Sequence, residues 1–108
     1  MPLPDALELR PPEPFDVELS PPGSKSLSNR ALLLAALAQG RSTLRGLLDA
    51  DDTRHMRTCL AALGVPLHDA GESVLEVEGQ GGRLRSPAGT CPTLHVGTAG
   101  TVARLLGA

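Results

Sequence analysis

The amino-acid sequence predicts an α/β fold whose elements follow the order β-α-β-α-β-β. Two stretches with helical patterns each end at a glycine, Gly40 and Gly64, the residue type that most often terminates a helix. Shorter stretches in which apolar and polar residues alternate, typical of strands, lie between and around them. Because 41% of the residues are hydrophobic and Phe15 is the only aromatic residue, the core has to be filled by Leu, Ala and Val.

The N-terminal part divides at about residue 15. Residues 1–15 form a proline-rich extension that cannot be the interior of a helix. Residues 15–19 alternate between apolar and polar side chains, which predicts the first strand. A proline pair and Gly23 end that strand. Residues 16–108 are then expected to form one domain, or part of one.

The first helix is predicted over residues 26–39, and residues 41–48 follow as the second strand. Residues 31–38 consist only of Ala and Leu. Since a helix that is apolar on every side is normally covered on every side, this helix is expected to be fully buried.

The second helix is predicted over residues 52–63, where Met56, Cys59, Leu60 and Leu63 form one apolar stripe at helical spacing. Residues 67–69 and 73–78 then predict a β-hairpin around residues 70–71. Residues 93–96 predict a short strand, and the glycine-rich turn of residues 97–101 leads into a third helix over residues 102–106.

Composition excludes several classes of function. The formal net charge of −2 provides no basic stripe for nucleic acid, and no apolar run approaches the roughly 20 residues of a membrane-spanning helix. The N-terminus lacks the layout of a signal peptide, so a cytoplasmic location is expected. Cys59 and Cys91 lie far apart without metal-ligand spacing, which predicts packing residues rather than a metal site.

The segment of residues 22–30, PGSKSLSNR, is the strongest candidate for a binding site. Gly23 allows close approach of a ligand, while Lys25, Ser26 and Arg30 supply positive charge and a hydroxyl at the start of a helix. Free N–H groups at a helix N-terminus favour an anion, and two cations there are unfavourable unless an anion compensates them. The alternative is that these residues only cap the helix or face solvent. The spacing is not that of a Walker A loop.

The segment of residues 97–104, GTAGTVAR, repeats this pattern in a weaker form. Gly100, Thr101 and Arg104 provide a close approach, a hydroxyl and a cation, although a simple turn and helix cap would explain them as well. Carboxylates cluster in residues 49–52, where capping of the second helix is the favoured explanation over acid–base chemistry. His55 is expected to face solvent, and His68 and His95 have no recognisable partner.

These segments carry a family resemblance. Residues 22–38, PGSKSLSNRALLLAALA, resemble the N-terminal signature of the 5-enolpyruvylshikimate-3-phosphate synthase (EPSP synthase) family. Residues 47–56 and 60–65 continue this signature, and residues 97–104 resemble the second signature of the family. The resemblance implies a truncated β-α-β-α-β-β unit of the inside-out α/β barrel of the enolpyruvyl transferases, with residues 16–108 as part of the N-terminal domain.

The resemblance also implies an activity, 3-phosphoshikimate 1-carboxyvinyl transfer from phosphoenolpyruvate in aromatic amino acid biosynthesis. Lys25 would be catalytic and contact both substrates, while Ser26 and Arg30 would hold shikimate 3-phosphate. Gly100, Thr101 and Arg104 would line the phosphoenolpyruvate pocket, where glyphosate competes. The implied partners are these two small molecules and the remainder of the enzyme, without nucleic acid or membrane. No metal or organic cofactor is implied.

The chain departs from the family pattern at two positions and in length. Thr98 stands where most members have asparagine, and Leu105 stands where proline is common. Family members are several times longer, so the acid–base residues lie outside this chain and the chain alone is expected to be inactive. Two alternatives remain, a non-catalytic anion-binding piece and a UDP-N-acetylglucosamine enolpyruvyl transferase. Ser24 and Ser26 argue against the latter, whose corresponding segment has Gly-Ala-Lys-Asn.

Overall fold

The structure, a computed structural model, describes residues 4–85 and 91–108. It confirms the α/β class. The elements are α1 (Lys25–Leu37), β1 (Gln39–Arg45), α2 (Asp51–Ala62), β2 (Leu67–Gly71), β3 (Val74–Gln80) and α3 (Gly100–Leu106). In the described residues the order is therefore α-β-α-β-β-α, without the strand that was predicted to come first.

The three strands form one antiparallel sheet in the order β1-β3-β2. The predicted hairpin is confirmed, because Leu67 of β2 pairs with Val77 of β3. Its turn lies at residues 72–73 and not at residues 70–71 as predicted, since β2 continues to Gly71. Ser73 in this reversal has φ 55°, a left-handed conformation that tight turns require. The other edge of β3 pairs with β1 from Gln39 opposite Gln80 onward, so β3 is the central strand.

The core lies between this sheet and the helices. Helix α1 packs on β1 and β3, and both α2 and α3 contact α1. The largest fully buried apolar side chains come from all three helices and from β3: Leu32, Met56, Leu60, Leu75, Val77 and Val102. The predicted stripe on α2 is confirmed for Met56, Cys59 and Leu60, which are buried, whereas Leu63 is the C-cap residue and is half-buried. An aliphatic core of this kind is what the absence of Trp and Tyr requires.

Two predicted strands are wrong. Residues 15–19 contain no strand, and Phe15 and Leu19 are 70% and 82% exposed. Residues 93–96 are likewise irregular. A strand needs a neighbour for its backbone N–H and C=O groups, and in the described residues the sheet ends at β1 and β2. The alternation of apolar and polar residues is typical of a strand, but it cannot supply the partner strand.

The prediction that α1 is buried on every side is also wrong for one face. Leu27 and Leu34, which lie two turns apart, are 64% and 67% exposed. The sheet, α2 and α3 cover the remaining faces, including fully buried Leu32. In residues 4–85 and 91–108 no helix combines the length and apolar character needed to cross a membrane.

Candidate functional site

The three serines at the start of α1, which are Ser24, Ser26 and Ser28, have different roles. Ser24 is the N-cap, and its Oγ accepts a hydrogen bond of 3.3 Å from the Leu27 backbone N–H, as an N-cap serine commonly does. The Oγ of buried Ser28 accepts a hydrogen bond of 3.0 Å from the backbone N–H of Leu48. These two hydroxyls stabilise the local fold. Ser26 is exposed on the first turn and presents its hydroxyl to the surface.

Arg30 lies four residues after Ser26 and is also exposed. Residues at this spacing are neighbours on a helix surface, so the hydroxyl of Ser26 and the guanidinium of Arg30 share one open face of α1. Lys25 is the first residue of α1, and its side chain is 55% exposed. All three predicted residues are therefore accessible to a ligand.

Gly23 fixes this segment against the loop that leads to α2. A Cβ at Gly23 would clash with the carbonyl O of Gly46 and would lie 2.9 Å from the Leu48 backbone N. A side chain there would push the two backbones apart. Because Ser28 also binds Leu48, the start of α1 is held at two points on this loop.

Lys25 makes an ion pair with Asp52 in the first turn of α2, with 3.4 Å between Nζ and Oδ2. The other carboxylates of this cluster have a different partner, since Asp49 and Asp51 lie 2.7 Å and 3.3 Å from the guanidinium of Arg54. The hydrogen bond from Arg54 lowers the pKa of Asp49 below its usual value. These contacts favour a structural role for the acidic cluster.

The predicted capping of α2 is correct in its location but not in its residue. The N-cap is Ala50, without a side-chain cap, and Asp51 and Asp52 occupy the first turn, where negative charge is favourable. Thr53 makes the hydrogen bonds at this helix start instead. Its Oγ1 accepts a hydrogen bond of 3.0 Å from the Ala50 N–H and donates one of 2.7 Å to the Leu48 carbonyl.

The second segment is anchored through its small residues. Ala99 and Val102 are buried in the core, and the Ala99 N–H donates to the Val96 carbonyl at 2.9 Å, which closes the turn before α3. Gly100 and Arg104 are exposed, and Thr101 is half-buried. Gly100 and Arg104 are one helical turn apart and thus lie on the same face, opposite the anchored side.

Helix α2 supports this second segment as well. Gly97, with φ 54°, lies directly against the ring of His55, because a Cβ at Gly97 would be 2.8 Å from His55 Nε2. The rings of His55 and His95 meet edge to face with 5.4 Å between centroids. The expectation that His55 faces solvent is therefore wrong, since its side chain is half-buried, and His95 does have a partner.

A buried thiol adds a further contact. Cys59 Sγ lies 3.5 Å from the His95 carbonyl oxygen. Burial raises the pKa of Cys59, so the thiol keeps its proton and can donate to that oxygen. Cys59 is a packing residue as predicted, whereas Cys91 is exposed.

The structure thus brings both predicted segments to adjacent turns of α2, Lys25 at Asp52 and Gly97 at His55. It does not enclose them. A cavity of about 640 Å³ lies elsewhere, lined by the apolar side chains of Leu33, Leu105 and their neighbours, and none of the six predicted site residues lines it. The predicted residues lie on α1 and α3, where Lys25, Ser26, Arg30, Gly100 and Arg104 are exposed and Thr101 is half-buried.

Comparison with known proteins identifies the family. Residues 9–108 match the sequence profile described as EPSP synthase (3-phosphoshikimate 1-carboxyvinyltransferase). The chain belongs to the EPSP synthase family. The match begins before residue 16, so it includes part of the proline-rich extension. The family resemblance inferred from the two signature segments is confirmed.

Named relatives in this family are similar over almost the whole chain. The 3-phosphoshikimate 1-carboxyvinyltransferase of Pectobacterium carotovorum is 49% identical over 105 residues, which are 96% of this chain and 24% of that protein. The enzyme of the same name from Klebsiella pneumoniae is 50% identical with the same coverage. The chain therefore spans about a quarter of the length of these EPSP synthases.

A solved structure of an EPSP synthase resembles this chain in its fold as well. The structure of EPSP synthase from Acinetobacter baumannii matches with a TM-score of 0.69 and 31% sequence identity, covering 79% of this chain and 19% of that one. This likeness confirms that the helices and the three-stranded sheet form a piece of the EPSP synthase fold.

Sequence reasoning missed the supporting residues of the site. Asp52 and His55 hold the two segments, but their pattern resembles that of a solvent-facing helix surface. Their spacing of three residues, which places both on one face of α2, was the available signal. Sequence reasoning also did not single out Asn29. It is fully buried, and neither atom of its amide group has a hydrogen-bond partner in the described residues.

Proposed function

We propose that the chain is the N-terminal part of a 3-phosphoshikimate 1-carboxyvinyltransferase. That enzyme would transfer the enolpyruvyl group from phosphoenolpyruvate to the 5-hydroxyl of shikimate 3-phosphate and release phosphate, as a step of aromatic amino acid biosynthesis. The observation that carries the proposal is the start of α1, where Ser24 and Ser28 stabilise the fold while Lys25, Ser26 and Arg30 remain accessible. Residues 16–108 would be part of the N-terminal domain of a cytoplasmic enzyme.

The first half of the site would hold shikimate 3-phosphate. Ser26 can donate its hydroxyl and Arg30 its guanidinium to a phosphate on the same face of α1. The free N–H groups of the first turn of this 13-residue helix add a favourable field for an anion. Hydrogen bonds from charged donors are about twice as strong as neutral ones, so Arg30 and Lys25 would contribute most of the affinity.

The second half would hold phosphoenolpyruvate. A Cβ at Gly100 would meet no heavy atom within 4 Å beyond its chain neighbours and its own helix backbone, which leaves room for a ligand beside Thr101 and Arg104. Lys25 would reach both substrates. Glyphosate would compete with phosphoenolpyruvate at this half of the site.

In the reaction, the 5-hydroxyl would attack C2 of phosphoenolpyruvate while C3 accepts a proton, and the tetrahedral intermediate would then lose phosphate. Several anionic groups have to be held close together, which is costly unless cations surround them. The side chains of Lys25, Arg30 and Arg104 would meet that requirement in part. The proton transfers would need residues from the remainder of the enzyme, so the chain alone would bind substrate without turnover.

The test is an amide NMR titration of the chain with shikimate 3-phosphate, using shikimate as the matched control without phosphate. Saturable shifts confined to residues 23–30 with the phosphorylated ligand, and absent with shikimate, are expected. Shifts of equal size with both ligands, or none with either, would reject the shikimate 3-phosphate site. An assay for phosphate release from both substrates accompanies the titration, and turnover by the chain alone would show that no further residues are needed.

The alternative of a non-catalytic anion-binding piece makes a different prediction. Inorganic phosphate would then shift the same amides as strongly as shikimate 3-phosphate at equal concentration. The alternative of a UDP-N-acetylglucosamine transferase is disfavoured, because the similar relatives are named as transferases that act on 3-phosphoshikimate.

A further inference from the structure

One face of α2 holds both halves of the proposed site. Asp52, His55 and Cys59 occupy helical positions i, i+3 and i+7, which fall on a single stripe. Asp52 makes the ion pair with Lys25. His55 contacts Gly97 of the second segment, and Cys59 contacts the carbonyl of His95, two residues before that segment.

The contact between His55 and Gly97 is the closest of these to the proposed phosphoenolpyruvate half. An added Cβ at Gly97 would be 2.8 Å from Nε2 and 3.3 Å from Cε1 of the imidazole, so the peptide rests on the ring with no space for a side chain. The edge of the His95 ring packs against the same imidazole at an interplanar angle of 65°. The imidazole of His55 thus lies between Gly97 of the turn and the ring of His95.

We propose that His55 is a positioning residue, which sets the location of the Gly97–Gly100 turn relative to Lys25. This inference rests on the proposed function. Because Asp52 and His55 are three residues apart on a rigid helix, their positions along its axis differ by about 4.5 Å. The start of α1 is held at Leu48, just before α2, and the turn is held at His55, so α2 links the two candidate segments.

The consequence is a difference between the two substrates. Shikimate 3-phosphate would depend mainly on residues of α1, which contact the loop before α2 through Gly23 and Ser28 and do not involve His55. Phosphoenolpyruvate would require Lys25 and the Gly97–Gly100 turn together, and a misplacement of about 1 Å can slow a reaction at such a site by about 100-fold. Loss of the His55 ring should therefore affect phosphoenolpyruvate selectively.

The first measurement follows the turn without any ligand. His55→Ala is compared with His55→Phe, which keeps a ring under Gly97, and with His68→Ala, which removes an exposed imidazole on β2. His55→Ala should shift the amide resonances of residues 95–104 and leave those of the β2–β3 hairpin unchanged, and His55→Phe should restore most of the turn. Unchanged resonances at residues 95–104 in His55→Ala would overturn the proposal. If that variant does not fold, His55→Gln carries the same test.

The second measurement compares affinities. His55→Ala should weaken phosphoenolpyruvate binding about tenfold and shikimate 3-phosphate binding less than about twofold, with recovery in His55→Phe. A parallel loss for both ligands would mean that His55 only stabilises the fold and would overturn its positioning role. If the unaltered chain bound neither ligand, the proposed function would fail for this chain, while the turn resonances would still decide the structural claim.

Discussion

Lys25 of α1 and Asp52 of α2 form an ion pair that joins the first turns of the two helices, with 3.4 Å between Nζ and Oδ2. The lysine side chain is 55% exposed and the aspartate 21%. Partly exposed pairs of this kind contribute about 1 kcal/mol or less to stability. The pair leaves one side of the ammonium group free, so Lys25 can bind a ligand without losing its place in the fold.

Lys25→Met is expected to remove most of the affinity for shikimate 3-phosphate and to leave the fold intact. A hydrogen bond to a charged group is worth about 1.5–3 kcal/mol, which corresponds to a loss of about 10- to 100-fold in affinity. Amide NMR titration with shikimate 3-phosphate measures the change. Arg41→Met is the matched control, because Arg41 is an exposed, paired cation on β1 outside the proposed site. Equal affinity in Lys25→Met and the unaltered chain would refute the anion site.

Three consecutive leucines of α1 provide a graded test of the core. Leu32 is fully buried, Leu33 is half-buried and Leu34 is 67% exposed. Leu32→Ala should lower the free energy of unfolding by about 2–5 kcal/mol, and Leu34→Ala should change it by about 0.5 kcal/mol or less. Urea denaturation of the three Ala variants gives the order, with Leu33→Ala expected in between. A large loss in Leu34→Ala would mean that this face of α1 is covered in solution.

Gly100→Ala separates ligand binding from stability. A Cβ at Gly100 would meet open space, and its φ is not in the left-handed region, so the folded chain should tolerate the methyl group. Affinity for phosphoenolpyruvate should fall because the methyl group occupies the ligand side of the turn. Thermal unfolding and titration of the same sample check both statements.

Gly97→Ala is the control for that experiment. Its Cβ would strike His55 and its φ of 54° disfavours alanine, so this variant should lose stability as well as affinity. If Gly100→Ala proved as destabilising as Gly97→Ala, the open space at Gly100 would be filled in solution, and the phosphoenolpyruvate half of the site would have to be revised.

Asn29 allows a test of a buried amide. Its side chain is fully buried, and within residues 4–85 and 91–108 its amide atoms have no hydrogen-bond partner. Leaving such a group unsatisfied costs about 1–3 kcal/mol, so Asn29→Leu, which replaces the amide by an apolar group, should be neutral or stabilising. Ser28→Ala is the contrasting variant, since it removes the hydrogen bond to Leu48 and should destabilise by about 1 kcal/mol. A loss of more than about 1 kcal/mol in Asn29→Leu would show that the amide is bonded.

Much of the fold was predictable because the relevant signals are local. The stripe of Met56, Cys59 and Leu60 predicted the buried face of α2, and the residues flanking Ala70 predicted the hairpin. Gly64, at φ 83°, ends α2 in the left-handed conformation that its position after the helix suggested. The failures were the strands at residues 15–19 and 93–96, whose formation depends on a distant partner that a local pattern does not reveal.

Local patterns in the sequence were enough to predict the family, the helices and the six candidate residues Lys25, Ser26, Arg30, Gly100, Thr101 and Arg104, whose roles in binding stay predictions. These inferences depend on neighbours in the chain, such as a hydroxyl at a cap or a cation one turn into a helix. The hydrogen bonds of Ser24 and Ser28, and the contacts of Asp52 and His55 with the two candidate segments, became visible only in the folded chain. The contacts at Leu48, Asp52 and His55 join residues that lie 20 to 42 positions apart in the sequence. Contacts between residues so far apart are set by the packing of the helices and not by any periodicity along the chain.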